Sequence, residues 1–187
     1  MAEGRRSVLM LINHYCFVII TASICLLEFP VLTCANKNFV LKTCNSTDIP
    51  DLCAQILLSD PRSVNVTDVR GLTDIALDIA ARSADSASSH ASDLADKYAG
   101  LPEQEPLDSC TQGWSEAADD LRDAQEQVDE ANYTAAARII NEAVDNGDDC
   151  EKAFADKGLK SVMADVDKTT SDQVGLAADL IDLLNVP

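Results

Sequence analysis

The four cysteines beyond residue 35, Cys44, Cys53, Cys110 and Cys150, are the side chains of this sequence best equipped for covalent chemistry. That chemistry is oxidation to disulfides: their number is even, and no two form a CxxC pair. Four cysteines allow three connectivities. Catalytic alternatives are thin. His90 is the one histidine beyond residue 35, so no His-based triad with a metal ligand to spare can be drawn. Ser63 and Ser109 have no base near them in sequence and read as turn or cap residues. Carboxylate pairs are plentiful, but without a cleft, aromatic sugar platforms or an apolar pocket they imply no glycoside chemistry. No glycine-rich phosphate loop is present. These residues predict no catalytic site, no metal site and no cofactor.

Residues 1–35 read as a secretory signal peptide. Arg5 and Arg6 precede an apolar run from Val8 to Leu27, and Thr33-Cys34-Ala35 places small residues at the −3 and −1 positions. Cleavage after Ala35 removes Cys16, Cys25 and Cys34 and leaves residues 36–187, a length that suits one domain with a real core. No other segment approaches the ~20 apolar residues of a membrane span. The formal charge is −18, and the leader contributes nothing to it, having two residues of each sign. So acidic a chain lacks the basic patch that nucleic acid or anionic lipid requires, and suits a basic protein partner. Asn45-Ser46-Thr47, Asn65-Val66-Thr67 and Asn132-Tyr133-Thr134 are glycosylation sequons in keeping with secretion.

The elements that position these residues read as helices. Aromatics make up only 4% of the chain, alanine is abundant, and no repeat or convincing strand is seen. From about Val66 to Tyr98 one stripe holds Val69, Leu72, Ile75, Ala76 and Ile79. Ala87, Ala91 and Leu94 continue it, with His90 at the core edge. The run Ser83–Ser89 is small throughout, which allows close helix packing or, in a looser bundle, room for a small ligand. Gly100, Pro102 and Pro106 break the pattern. A second helix, from about Leu107 to Asp129, puts Cys110, Trp114, Ala117, Leu121, Ala124 and Val128 on one face. Its other face carries Glu116, Asp119, Asp120, Asp123, Glu126 and Asp129; of these Asp119, Asp123 and Glu126 are the candidate partner-binding residues. A third helix starts near Asn132, presents Ala136, Ile139, Ile140, Ala143 and Val144, and is expected to stop at Asn146-Gly147. A turn or two around Cys150 and Phe154 precedes Gly158. The last helix is expected to open on Thr170-Ser171-Asp172-Gln173 as a capping box, and to bury Val174, Ala177, Ala178, Ile181 and Leu184.

Four amphipathic helices with mostly short links predict an all-α, up-and-down four-helix bundle. In an antiparallel pair, residues equidistant from the turn lie abreast. The midpoint of 110 and 150 falls at the expected turn between the second and third helices, and that of 44 and 53 falls beside Pro50. Pairing Cys44 with Cys53 and Cys110 with Cys150 would therefore staple two helical hairpins.

One ordered set of residues runs through the chain. It starts with Cys44, the turn at Ile49-Pro50, Leu52-Cys53, and Leu57-x-x-Asp60-Pro61-Arg62-Ser63. Asp68 to Leu72 with Ile75-Ala76 follow, then Cys110-x-x-x-Trp114 with Ala117 and Leu121, and last Asp149-Cys150-Glu151-x-x-Phe154. In order and spacing the set resembles the plant inhibitors of pectin methylesterase and invertase, including the pollen-allergen-like members, over essentially all of 36–187. The resemblance implies a four-helix bundle with an N-terminal helical hairpin, and bridges joining first to second and third to fourth cysteine. It also implies a non-enzymatic, secreted inhibitor, apoplastic or vacuolar, that docks one-to-one over the active cleft of a carbohydrate-active enzyme. Pectin methylesterase is the favoured target and acid invertase the alternative; a non-inhibitory secreted binding protein is the remoter reading. Three stretches depart from the pattern. Trp114 stands where the family usually has tyrosine, and Ile139–Ala143 lacks the usual Ser-Ala-Ala. Pro102-Glu103-Gln104-Glu105-Pro106 has neither the lysine nor the phenylalanine that invertase inhibitors often carry there, which lowers the invertase reading.

Overall fold

The computed structural model describes residues 37–185. The expected leader, with its cysteines and its cleavage after Ala35, lies outside them. α1 (residues 37–44) and α2 (Pro50–Ser59) form an N-terminal hairpin, and a 3-10 turn (Ser63–Asn65) leads into α3 (Val69–Lys97). α4 (Gln104–Asp129), α5 (Tyr133–Val144), α6 (Asn146–Asp156) and α7 (Ala164–Leu184) follow. Among the described residues there is no strand, and no helix is long and apolar enough to cross a membrane. α3 packs against α4 and α7, α4 against both α5 and α6, and α5 against α7. The third member of the bundle is therefore α5 and α6 together, a helix broken once.

Local sequence explains most of these limits. Pro50 sits at the start of α2, where its missing N–H costs nothing. Asp68 caps α3, its Oδ1 accepting from the Gly71 N–H at 2.8 Å. On the buried side of α3, Ala76, Ala80, Ala84, Ala87 and Ala91 let neighbouring backbones approach closely while losing no side-chain entropy on burial. The small run at 83–89 is thus packing surface, with Ala84 and Ala87 fully buried. The apolar face expected of the second helix, from Cys110 to Val128, is buried throughout. Ala131, at a positive φ of 58°, makes the turn into α5, one residue from the expected midpoint.

Both disulfides follow the expected pairing. Cys44 joins Cys53 within the hairpin, and Cys110 joins Cys150 between α4 and α6. The second closes a separation of 40 residues, for which chain entropy contributes roughly 3–4 kcal/mol. Beyond its bridge, the hairpin is fastened to α7 where the Asp48 N–H donates to Asp179 Oδ2 at 3.0 Å.

Three expectations are corrected. Asn146-Gly147 does not end a helix in the left-handed conformation; it opens α6, after Asp145 at an ordinary helical φ of −77°. The left-handed residues among those described are Ala131, Gly100 and Gly158. Thr170 does not open the last helix, which begins six residues earlier at Ala164. It is buried, with its hydroxyl 3.2 Å from that of Ser83. At the true start, the Met163 N–H donates to Ser161 Oγ at 3.0 Å, and Asp165 and Asp167 supply first-turn acidity. His90 is exposed rather than at the core edge.

Gly147 is held by proximity. A Cβ there would meet Ser171 Oγ at 2.0 Å and Trp114 Cζ2 at 3.3 Å. Gly147→Ala is expected to lower stability by roughly 1–3 kcal/mol through overpacking. In a Ser171→Ala background most of the clash is gone and alanine's better helix propensity, about 1 kcal/mol, works in its favour. Urea unfolding of the single and double variants measures both signs.

Candidate functional site

Burying Cys110, Trp114, Ala117, Leu121, Ala124 and Val128 turns the opposite face of α4 to solvent. Asp119, Asp123 and Glu126 therefore share one exposed stripe, at the helical spacing i, i+4, i+7. The stripe has unequal flanks. Toward α3, Arg122 pairs with Asp85 and, at 3.0 Å, with Asp119, while Arg70 reaches Asp129 at 3.1 Å. Toward α5, Asp120 is partly buried, and its carboxyl is pushed above the usual range, first by burial and then by the charges of Glu142, Asp123, Glu116 and Asp119. Arg138 answers only Glu142, at 2.9 Å. Asp120 thus senses an excess of negative charge along the α4–α5 side.

The Asp60-Pro61-Arg62-Ser63 motif, recognisable in sequence without a stated role, fastens the hairpin's exit to α3. Arg62 grips Asp60 with two parallel bonds, Nε to Oδ1 at 3.0 Å and Nη2 to Oδ2 at 2.7 Å, and also pairs with Asp78. Arg82 joins Asp78 at 3.1 Å. The Arg62 hydrogen bond holds the Asp60 carboxyl down at about 2, against the opposing effect of burial. Beside this network an open groove of about 530 Å³ runs between α2, α3 and α7, lined by Leu52, Ile56, Ile79, Arg82 and Gln173 among others.

A third cluster lies inside the bundle. Trp114 Nε1 donates to Asp167 Oδ1 at 2.7 Å, and Asp167 is 2% exposed. Its Oδ2 lies 3.0 Å from Cys150 Sγ, a bridged sulfur with no hydrogen to donate. Glu151 closes the group, with Oε1 buried and unpartnered. Burial, and then the Glu151 carboxyl beside it, raise Asp167 to about 7 against the opposing pull of the Trp114 N–H. The N-terminus of α7 also favours the anion, by up to about 1 kcal/mol. The Cys150 sulfur is spent in a disulfide, which leaves two carboxylates, fewer than the four ligands of a structural zinc site. Sequence reading missed Asp167; its signal was acidity in the first turn of a helix whose start was misplaced.

The remaining expected residues are scattered. Asn45, Asn65 and Asn132 are all exposed, on separate loops and turns. Ser63 is buried in the 3-10 turn, and Ser109 Oγ donates back to the Glu105 carbonyl at 3.2 Å. No base serves either among their hydrogen bonds. The expected link at 102–106 ends at Glu103: the Gly100 N–H donates to Gln104 Oε1 at 2.7 Å at the start of α4, Glu105 in its first turn pairs with Lys157 at 2.7 Å, and Pro106 lies inside the helix.

A family model described as plant invertase/pectin methylesterase inhibitor matches residues 38–181. A pectinesterase inhibitor of Actinidia deliciosa is 28% identical over 120 residues. That match spans 64% of this chain and 64% of the relative's length. Two solved structures share the fold at 19% identity. The crystal structure of mutant form A of a pectin methylesterase inhibitor from Arabidopsis superposes with a TM-score of 0.64, covering 75% of this chain and 93% of that one. The crystal structure of a pectin methylesterase inhibitor from Arabidopsis thaliana gives 0.59, covering 79% and 97%.

The Arg62 clamp has a pH signature. Asp60 is depressed in the folded state, so its contribution is complete above the ordinary aspartate range and is lost as pH falls through about 2. Arg62→Ala should cost about 1–2 kcal/mol near neutrality. The gap between the two proteins should close on acidification from pH 4 to pH 2, as read by chemical unfolding at each pH.

Proposed function

Because the chain belongs to the plant invertase/pectin methylesterase inhibitor family, we propose that it is a secreted, non-catalytic inhibitor of a plant pectin methylesterase. It docks its helical surface over the enzyme's active cleft in a one-to-one complex and keeps the pectin chain out. The observation that carries the choice of surface is the acidic stripe Asp119, Asp123 and Glu126, left uncompensated toward α5. A stapled helical face loses little freedom on binding, so less of its contact energy is offset by ordering. In a chain of net charge −18, such a face steers a basic partner and speeds encounter. The name of the Actinidia relative favours the esterase. So does the stretch 102–106, which has neither lysine nor phenylalanine and whose Glu105, in the first turn of α4, is engaged by Lys157. Acid invertase is the second target, included in the family's description.

Secretion through a leader at 1–35 and glycosylation at the exposed Asn45, Asn65 and Asn132 complete the reading. Both fit a protein of the apoplast, or alternatively the vacuole.

A paired titration of one pectin methylesterase and one acid invertase, across mildly acid pH and with a reduced control, tests it. Saturable inhibition of the esterase alone is expected. Inhibition of invertase alone would reverse the target, and a folded protein that inhibits neither would end the inhibitor reading. Replacing Asp119, Asp123 and Glu126 together by lysine should slow association with a basic esterase at least about tenfold at low salt. Dissociation should change little, and the difference should shrink at high salt. Surface plasmon resonance separates the two rates.

A further inference from the structure

We propose that Glu151 and Asp167 form a proton-binding site, a carboxyl pair that shares one proton and with it latches α6 to the first turn of α7 against Trp114 of α4. The geometry requires a hydrogen that the surrounding groups do not supply. Asp167 Oδ1 is satisfied by the Trp114 N–H, whereas Oδ2 faces a disulfide sulfur that has none to give. Glu151 Oε1 is buried without a donor. Cys150 Sγ, a Glu151 oxygen and an Asp167 oxygen lie within 4.8 Å of one another. One proton placed between the carboxyl groups satisfies both orphaned acceptors and removes one of two like charges.

Among the described residues, no lysine or arginine pairs with either carboxyl group. α4 presents Trp114 and Cys110, and α6 presents Cys150, Glu151 and Gly147. α3 meets this part of α7 through the uncharged hydroxyl pair Ser83 and Thr170, and α5 meets α7 at its far end through Thr134 and Asn185. On α7 itself the Lys168 ammonium is engaged by Asp172 at 2.8 Å. Among the described residues, the groups that perturb Asp167 electrostatically are Glu151 and Trp114.

The sign follows from linkage. A carboxyl that holds its proton more firmly when folded stabilises the fold fully below the ordinary aspartate range. That stability is lost as pH rises from there through about 7. The bundle is therefore tightest in mildly acid surroundings, and near neutrality the latch beside the Cys110–Cys150 bridge opens. The effect is independent of which enzyme the protein inhibits.

Trp114 is the chain's single tryptophan and touches the site directly, so it is the reporter. The experiment uses protein secreted from the full chain, with His90→Gln in every sample to remove the described imidazole. Tryptophan fluorescence and thermal unfolding are followed from pH 4 to pH 8. Expected is a single reversible fluorescence step within the folded state, absent from Asp167→Asn. The asparagine keeps both contacts without a titrating proton. Melting temperature should fall over this range by roughly 5–10 °C more in the parent than in Asp167→Asn. Glu151→Gln, whose amide donates to Asp167, should also remove the step, and it decides the matter if Asp167→Asn does not fold. A parent protein with no step, or a step that survives in either folded variant, overturns the proposal. So does a step abolished by millimolar calcium, since the site would then hold a cation in place of the proton.

Discussion

The bridge between Cys110 and Cys150 holds two Cα atoms 4.7 Å apart across α4 and α6, and much of the bundle follows from that closeness. A helix approached so tightly leaves no room for a side chain at Gly147, which lies against Trp114 and Ser171. Trp114 fills the centre of the bundle, fully buried, and its indole N–H must then find an acceptor. Asp167 is that acceptor. One covalent constraint thus sets the packing of α4, α6 and α7, and brings a carboxyl group into the interior.

Elsewhere the fold relies on small residues rather than on large ones. Alanines along α3 bring α4 and α7 close, and the larger apolar side chains, Leu72, Leu107, Leu121, Phe154 and Ile181, are fully buried between the helices. Close-packed helices leave few interior polar groups: Ser83 meets Thr170 across two helices, Thr73 bonds back to the Val69 carbonyl, and Glu151 Oε1 is left without a partner. Charge is kept outside. Four arginines are used as sutures, Arg62 and Arg82 at the hairpin exit and Arg70 and Arg122 along the α3–α4 seam, while Arg138 pairs within α5. On the outer stripe of α4, Arg122 answers Asp119, whereas Asp123 and Glu126 have no ion pair among the described residues. A rigid, charged face on a covalently stapled frame needs little ordering on binding, so less of its contact energy is offset by lost freedom.

Much was legible in the chain alone. Four apolar stripes of helical period, two cysteine pairs centred on breaks, and the ordered motif set specified an all-α bundle. Those signals are local: a stripe must be buried somewhere, whatever buries it. The buried face of α4 and the turn beside Ala131 were accordingly found where the pattern put them. The stripe of Asp119, Asp123 and Glu126 was legible for the same reason, as the complement of a buried face on one helix.

What the chain alone left open depends on neighbours distant in sequence. Gly147 and Thr170 carry the residue types of a helix stop and a helix start, yet both lie within helices. Gly147 answers to Ser171 and Trp114, and Thr170 to Ser83, none of which its local sequence reveals. Asp167 looked like one first-turn acid among many, and only folding sets it 2% exposed beside Glu151 and under Trp114. Local periodicity determines which residues face inward. Which of them meet, and so which carboxyl keeps its proton, is decided when four helices close around a shared interior, because burial and contact are properties of the assembled bundle.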